Sequence, residues 1–127
     1  MGMKNFSVGI AAKNNVEIVE FYKKVFGLEL GFHAKFLDGE YQEQYQHATL
    51  PKDGKKVFDV VTLTHDVDAE KQIISFGVYF DNEAEVREAF ILLSEGGIVK
   101  EPIGSVPWSS CCASVIDKFG ITWWISI

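Results

Sequence analysis

The first stretch of the chain follows the period of a strand and then the period of a helix. Residues 6–10 alternate between large apolar and small side chains, which predicts a strand with one apolar face and one small face. Asn14 stands three residues before Glu17, and this spacing predicts a capping box with Asn14 as the helix N-cap. The helix is predicted to end at Gly27. Its apolar stripe consists of Ile18, Phe21, Tyr22, Val25 and Phe26.

Three more strands are predicted after this helix. They span residues 28–37, 42–50 and 57–64, and each contains a run of apolar or alternating residues. Asp-Gly pairs at residues 38–39 and 53–54 mark the turns between them, because such pairs favour tight hairpin connections. The first half of the chain is therefore predicted to be a β-α-β-β-β unit.

The second half of the chain repeats this pattern, and part of the sequence repeats with it. Residues 75–90 align with residues 7–22 at a constant offset. The identical pairs are Ser7 and Ser75, Gly9 and Gly77, Asn14 and Asn82, Glu17 and Glu85, and Glu20 and Glu88. Two copies favour two paired modules, because a solenoid needs at least about 3 repeats.

The elements of the second copy are predicted in the same order. A strand over residues 74–80 precedes a helix with Asn82 as its cap. The apolar stripe of that helix contains Val86, Ala89, Phe90 and Leu93, and a Gly-Gly pair ends it at residues 96–97. Further strands are predicted over residues 98–101, 108–116 and 121–127, with a loop bracketed by Pro102 and Pro107.

The repeat predicts one domain of two modules, residues 4–65 and 73–127, joined by a polar linker over residues 66–72. Each module has one helix, so we expect the heavier apolar face of each sheet beneath it, Phe6/Val8/Ile10 and Ile74/Phe76/Val78. The opposite faces carry Ser7, Gly9, Ser75, Gly77 and Tyr79. Small residues on a curved sheet leave volume above them, although they also permit close packing of sheets. The predicted fold class is α+β: two tandem βαβββ modules whose mixed sheets curl around a cavity.

Composition and charge exclude several classes of protein. The chain has 127 residues, of which 47% are hydrophobic, and a net charge of -6 without a basic run, which argues against nucleic-acid binding. No apolar stretch approaches the ~20 residues of a membrane span, and no signal peptide is visible. Cys111 and Cys112 are neighbours, so on a strand they face opposite sides and are poorly placed to pair. We therefore expect reduced thiols and a cytoplasmic protein.

Four segments of the chain carry a resemblance to a known family: EFYKKVFGLEL (20–30), QHATL (46–50), LLSEGGIVKEPI (92–103) and PWSSCCASVIDKFGITWWI (107–125). Together they resemble the vicinal-oxygen-chelate superfamily of glyoxalase I, extradiol dioxygenases, fosfomycin-resistance proteins and bleomycin-binding proteins. The QHA segment and the stretch from the Gly-Gly pair to Trp108 narrow the resemblance to its PhnB-like branch. Ser109 departs from that branch, which usually has glycine after the tryptophan.

The resemblance also bears on metal binding. Metal-using members hold a divalent ion with four side chains, usually His and Glu, from the first and last strands of each module. Three of the matching positions are Ser7, Ser75 and Trp124, whose hydroxyls and indole are poor ligands for zinc, nickel or iron. The fourth lies between Phe58 and Thr64, where Asp59 is the only acid and its orientation is open. The expectation is no metal site and no cofactor.

Two side chains stand out as candidate ligand contacts. His47 shares a predicted strand face with Glu43, Tyr45 and Thr49, and is either a polar contact or general base for a ligand, or a strand histidine bonded to a neighbour. Strand alternation turns Trp124 towards the cavity and Trp123 under the helix. There Trp124 either stacks on a flat or cationic ligand or fills the space of a metal site.

The complete set of predicted ligand-binding residues is Ser7, Gly9, His47, Ser75, Tyr79, Trp108 and Trp124. Catalytic residues are not assigned. His33 and His65 are expected at the surface or at strand ends, and the two cysteines are expected to be structural.

Three functions compete. The first is a metal-free protein that binds a small molecule, and it is the one we favour. The second is a glyoxalase-type lyase or isomerase, or a dioxygenase, that is metal-dependent or uses His47 or Asp59. The third is a dimeric scaffold without a ligand. Methyl transfer lacks support, because no glycine-rich nucleotide loop follows a strand. The resemblance alone implies a homodimer.

Overall fold

The computed structural model describes residues 2–3, 7–63 and 74–127 of the chain. Contacts between residues divide the chain into two units, Met1–Asp66 and Val67–Ile127. The linker predicted over residues 66–72 lies outside the described residues and stays a prediction, as does the cavity. In the part of the chain that is described, no helix is long and apolar enough to cross a membrane.

The first unit contains one helix and one four-stranded sheet. Its elements are β1 (Gly9–Ala12), α1 (Asn15–Phe26), β2 (His33–Lys35), β3 (Tyr45–Lys52) and β4 (Lys55–Thr62). The strand order is β1-β4-β3-β2, and β1 runs parallel to β4 while the other pairs are antiparallel.

The second unit repeats this plan. Its elements are β5 (Phe76–Tyr79), α2 (Glu83–Ser94), β6 (Ile98–Val106), β7 (Ser109–Ile116) and β8 (Thr122–Ser126). The strand order is β5-β8-β7-β6, with β5 parallel to β8. The predicted fold class, α+β with two βαβββ units and mixed sheets, is confirmed.

Each unit buries its core between its helix and one face of its sheet. In the first unit the fully buried residues of α1 include Ile18, Val19 and Tyr22, and those of the sheet include Leu50 and Val60. In the second unit, Val86 and Leu93 of α2 are buried with Val115, Trp123 and Ile125 of the sheet. Removal of these apolar surfaces from water is the main driving force for each unit.

The predicted apolar faces hold only in part. Ile10 is buried as expected, but Phe6 lies outside the described residues. Ile74 is largely exposed, because β5 begins at Phe76 and Ile74 precedes the sheet. Trp123 packs in the core of its unit as predicted.

The two helices begin differently, although their sequences predict the same cap. The side chain of Asn82 accepts a hydrogen bond from the backbone N–H of Glu85 at 2.9 Å, as a capping box requires. Asn14 makes no such bond, so its prediction as an N-cap by side chain is wrong. Instead, Gln44 Oε1 accepts a hydrogen bond from the backbone N–H of Asn15 at 2.9 Å. This bond satisfies one of the N–H groups that have no partner within the helix at its N-terminus.

Gly27 ends α1, whereas the C-cap of α2 is Glu95 in an extended conformation, before the Gly-Gly pair that was predicted to end this helix. Gly27 adopts the left-handed conformation (φ 65°) and its N–H donates to the Lys23 carbonyl, as predicted. α2 ends at Ser94, and Gly97 is required because a Cβ there would collide with the carbonyl oxygen of Ile116.

Three predictions of strands and loops need correction. The strand predicted over residues 28–37 is regular only at His33–Lys35. The segment predicted as a loop between Pro102 and Pro107 belongs largely to β6, which tolerates Pro102 because it is the edge strand of its sheet. Trp108, predicted to begin a strand, lies in the tight turn between β6 and β7.

Candidate functional site

The first sheet has a face that α1 does not cover, and several predicted residues lie on it. Gly9 of β1, Asp59 of β4 and Thr49 of β3 are direct neighbours across this sheet. His47 lies two residues from Thr49 on β3, so the pleat puts both on the same face. Among the described atoms, none would lie within 4 Å of a Cβ on Gly9, so this part of the face is open.

His47 and Asp59 form a close pair on this open face. His47 Nε2 lies 2.7 Å from Asp59 Oδ1, and Lys56 Nζ lies 3.0 Å from Asp59 Oδ2. The Asp59 side chain is only 15% exposed, whereas that of His47 is 44% exposed. The orientation of Asp59, which the sequence left open, is therefore towards His47.

Asp59 is held in its charged form. Burial raises the pKa of its carboxyl, but hydrogen bonds from His47 and Lys56 and the charges of both side chains outweigh burial, so the pKa lies below the usual 3.8. A charged carboxylate only accepts hydrogen bonds, so Nε2 of His47 carries a proton and donates a hydrogen bond to Oδ1 of Asp59. None of the residues that the structure describes forms a hydrogen bond with His47 Nδ1.

The stability that Asp59 contributes is expected to disappear in acid. Because folding lowers the pKa of this carboxyl, its contribution is complete above the unfolded value of 3.8 and is lost as the pH falls through the lower pKa of the folded state. The difference in free energy of unfolding between the wild type and Asp59→Asn should therefore shrink from about pH 6 to about pH 2.5. Urea denaturation at a series of pH values measures it, and a difference independent of pH would contradict the assignment.

The partner Lys56 was missed because of a bulge. Residues 56 and 59 lie three apart, and regular alternation would turn them to opposite faces of β4. The register between β3 and β4 shifts, so that Leu50 pairs with Phe58 but Pro51 pairs with Lys56. The bulge lets Lys56 reach the carboxylate of Asp59.

A second bulge corrects the predicted surroundings of His47. Ala34 pairs with His47 but Lys35 pairs with Tyr45, so β3 has an extra residue at this point. Tyr45 is buried and, contrary to the prediction, is out of phase with His47. Phe32 takes its place as an aromatic neighbour, with its ring centroid 5.8 Å from that of His47.

The second sheet carries an aromatic group on its corresponding face. Trp124 of β8 is the direct neighbour of Gly77 on β5 and of Ser114 on β7. The phenol oxygen of Tyr79 lies 3.4 Å from the position of a Cβ on Gly77, so the ring of Tyr79 lies over Gly77. Trp124 is half-buried and Tyr79 is exposed, so both offer aromatic surface.

The alternation of the two tryptophans is fixed by a buried carboxylate. Trp123 donates its indole N–H to Asp117 Oδ2 at 2.8 Å, and Asp117 Oδ1 accepts the backbone N–H groups of Phe119 and Ile121. With Trp123 held beneath α2, the pleat turns Trp124 to the other face.

The remaining predicted ligand-binding residues, Ser7, Ser75 and Trp108, lie outside the regular strands. Ser7 and Ser75 are exposed and lie two residues before β1 and one residue before β5, respectively. Trp108 is 75% exposed on its turn. His65 lies outside the described residues, and the exposed ring of His33 bonds to the carbonyl of Gly31 through Nδ1, at 3.0 Å.

The two cysteines do not form a disulfide and both are buried. Burial, the neighbouring Cys111 and Glu101 raise the pKa of the Cys112 thiol. A raised pKa lowers the fraction of thiolate, which is the nucleophilic form. The structural role predicted for these residues therefore agrees with their surroundings.

The side chains at the superfamily's metal positions do not fit a transition metal. Within residues 2–3, 7–63 and 74–127, no group of three or more His, Cys, Asp and Glu side chains is placed to hold an ion. Asp59, the one acid at these positions, divides its two oxygens between His47 and Lys56.

Comparisons with known proteins identify the family. The model of the Glyoxalase/Bleomycin resistance protein/Dioxygenase superfamily matches residues 7–125. No curated protein matches the chain. A PhnB protein from Bacillus cereus has a similar structure, with a TM-score of 0.80, 20% sequence identity and coverage of 97% of this chain and 98% of that one.

Two other solved structures share the fold at lower identity. A glyoxalase-related enzyme from Fulvimarina pelagi has a TM-score of 0.68 at 16% identity and covers 98% of this chain and 88% of that one. The bleomycin-binding protein from Streptomyces verticillus, complexed with copper(II)-bleomycin, has a TM-score of 0.59 at 15% identity and covers 99% and 97%. With a family model that matches nearly its full length, this chain belongs to the Glyoxalase/Bleomycin resistance protein/Dioxygenase superfamily.

Proposed function

We propose that this protein binds a small organic molecule and needs no metal ion to do so. The observation that carries the proposal is the open face of the first sheet, where Asp59 holds a partly exposed imidazole beside the space above Gly9. Ligand sites combine apolar surface with a few fixed polar groups, and here the carboxylate of Asp59 fixes the imidazole.

The chemistry of each face, taken by itself, indicates the kind of ligand that it would bind. The first offers an imidazole and an exposed phenylalanine ring, and the second offers an indole and a phenol. Aromatic side chains bind flat apolar groups by stacking, while the imidazole gives a directional hydrogen bond. The bleomycin-binding protein of Streptomyces verticillus supports a binding function within this fold.

The absence of a metal requirement is supported by the residues themselves. Ser7, Ser75 and Trp124 stand where metal-using members have ligands, and Asp59 is already bonded to two nitrogen donors. We expect elemental analysis of the purified protein to find less than one transition-metal ion per ten chains. One tightly held zinc, nickel, iron or manganese ion per chain would contradict the proposal.

Trp124→Ala is expected to weaken ligand binding without unfolding the protein. A ligand at ~100 times its dissociation constant raises the free energy of unfolding by about 2.7 kcal/mol, which a thermal-shift screen with metabolites and aromatic antibiotics detects. The variant removes the indole and should lose most of that shift. Ile91→Ala, an exposed residue of α2, is the control and should keep it. An unchanged ligand response in Trp124→Ala would count against the proposal.

One observation favours an enzyme as the second candidate. The pair of His47 and Asp59 has the arrangement of a general base and the group that orients it. A lyase or isomerase of the superfamily would return its ligand chemically changed, so mass spectrometry of a stabilising ligand after incubation separates the two functions. If no ligand stabilises the protein, the dimeric scaffold becomes the better account.

Two further parts of the proposal rest on the resemblance and the composition. We propose that the protein is a homodimer and that it is located in the cytoplasm. Light scattering of the purified protein measures the dimeric state. Although the name of the Bacillus cereus protein includes a 3-demethylubiquinone-9 3-methyltransferase, we do not propose methyl transfer. The links from β1 to α1 (13–14) and from β5 to α2 (80–82) contain no glycine.

A further inference from the structure

We infer that His47 offers its Nδ1 atom as a fixed hydrogen-bond acceptor to a ligand with an O–H or N–H donor on an aromatic ring, and that Asp59 is the positioning residue that sets this polarity. This inference rests on the proposed binding function and names the class of ligand that the first unit would take. It concerns recognition and requires no reaction.

The hydrogen bond between His47 and Asp59 determines which nitrogen carries the proton. Nε2 lies 2.7 Å from a carboxylate oxygen that can only accept, so the proton of a neutral imidazole resides on Nε2. Nδ1 then keeps its lone pair. No described residue satisfies that lone pair, and the side chain is 44% exposed.

Lys56 balances the charge of the carboxylate that His47 meets. On β4, the ammonium of Lys56 lies 3.0 Å from the second oxygen of Asp59 and balances its charge. No other described charged side chain pairs with His47 or Asp59. β3 adds Thr49, whose hydroxyl donates to the Phe32 carbonyl, and β1 adds Gly9. The carboxylate that fixes the imidazole is thus held from both of its oxygens.

The aromatic part of the inference comes from Phe32. Its ring lies beside the imidazole and is 64% exposed, so its apolar face is available to a ligand. A ligand ring stacked on Phe32 would place a hydroxyl or ring N–H within reach of Nδ1. Aromatic pairs stack at such distances with a gain beyond the area that they bury.

His33 provides an internal reference of opposite polarity. Its Nδ1 lies 3.0 Å from the carbonyl of Gly31, which accepts only, so Nδ1 carries the proton and Nε2 is the acceptor. The same protein is thus expected to contain the two tautomers side by side. Nitrogen-15 NMR distinguishes them, and His33→Gln and His47→Gln assign the signals.

The first experiment measures the tautomer. At a pH where His47 is neutral, wild type should show a protonated Nε2 and an unprotonated Nδ1. In Asp59→Asn, the amide can donate to Nε2, so the Nδ1–H tautomer should gain population. Lys56→Gln keeps the His47–Asp59 bond and should retain the wild-type tautomer. A protonated Nδ1 in neutral His47 of the wild type would overturn the inference, even if the variants failed to fold.

The second experiment measures recognition with matched probes. Phenol and anisole differ in one donor, as do indole and benzofuran. Titrations of the wild type should show the donor of each pair binding about three- to tenfold tighter, with a shift of the Nδ1 signal. Asp59→Asn should reduce that preference to less than about twofold, whereas Lys56→Gln should preserve it.

The outcomes separate this inference from the proposed function. Equal binding of the two members of each pair, or no binding of any probe, overturns the inference. If another ligand then stabilises the protein and Trp124→Ala removes the effect, the proposed function stands without it. If no ligand in the thermal-shift screen stabilises the protein, the proposed function fails as well.

Discussion

Replacement of Trp123 by alanine is expected to lower the free energy of unfolding by about 3–5 kcal/mol. The indole is fully buried beneath α2 and is the largest of the fully buried side chains among the described residues. Its ring lies 5.6 Å from that of Phe76, and its N–H bonds to Asp117. The variant both leaves a cavity and removes a buried hydrogen bond. Urea denaturation followed by circular dichroism measures the decrease in the free energy of unfolding.

Trp124→Ala is the matched control for this prediction, because the same side chain is removed one residue along the strand. Trp124 is half-buried on the other face of the sheet, so its removal should cost less than half as much. Equal losses in the two variants would show that the alternation of β8 is not as described. A comparison of the stability of the two variants thereby distinguishes a residue of the core from a residue proposed to contact the ligand.

Asn15→Ala is expected to cost at least about 2 kcal/mol of stability, because it leaves buried polar groups without their partner. The Asn15 side chain is fully buried; its oxygen accepts the backbone N–H of Tyr45 at 2.9 Å and its amide donates to the Tyr45 carbonyl at 2.8 Å. It also donates to Thr62 at 3.1 Å. The amide thus ties the start of α1 to β3 and β4.

Asn14→Ala gives the matched control for Asn15. Asn14 is exposed and its side chain bonds to that of Glu17, so the loss should stay within about 0.5 kcal/mol. Asn15→Asp adds a variant of the same shape that cannot donate to the Tyr45 carbonyl, and it should also destabilise the protein. Equal effects at positions 14 and 15 would contradict the described network.

The order of the elements follows from the sequence because hydrophobic period and glycine position are local signals. The apolar stripe of α1 and its end at Gly27 depend on residues within one helix, and both are found. The internal repeat extends this inference to the second unit. The cap at Asn14 does not form: its side chain donates to the carboxylate of Glu17, and Gln44, a residue distant in sequence, accepts the backbone N–H of Asn15.

The candidate site is predictable only where alternation is regular. Gly9 and His47 lie on the predicted face, and Trp124 faces away from Trp123 as expected. Lys56 could not be placed, because its contact with Asp59 depends on a bulge that shifts the register between two strands. Bulges depend on pairing between segments, and no period within one strand reveals them.

The irregular edge of the second sheet has a consequence for aggregation. β6 is an edge strand of its sheet, and it exposes Ile98 and Val99. Its pairing with β7 shifts register at three points, and Pro102 removes one donor from the strand. A strand so interrupted is a poor template for the continuous ladder of a fibril. The irregular pairing that kept the full length of β6 from being predicted also disfavours pairing of this edge with the same edge of another copy of the protein.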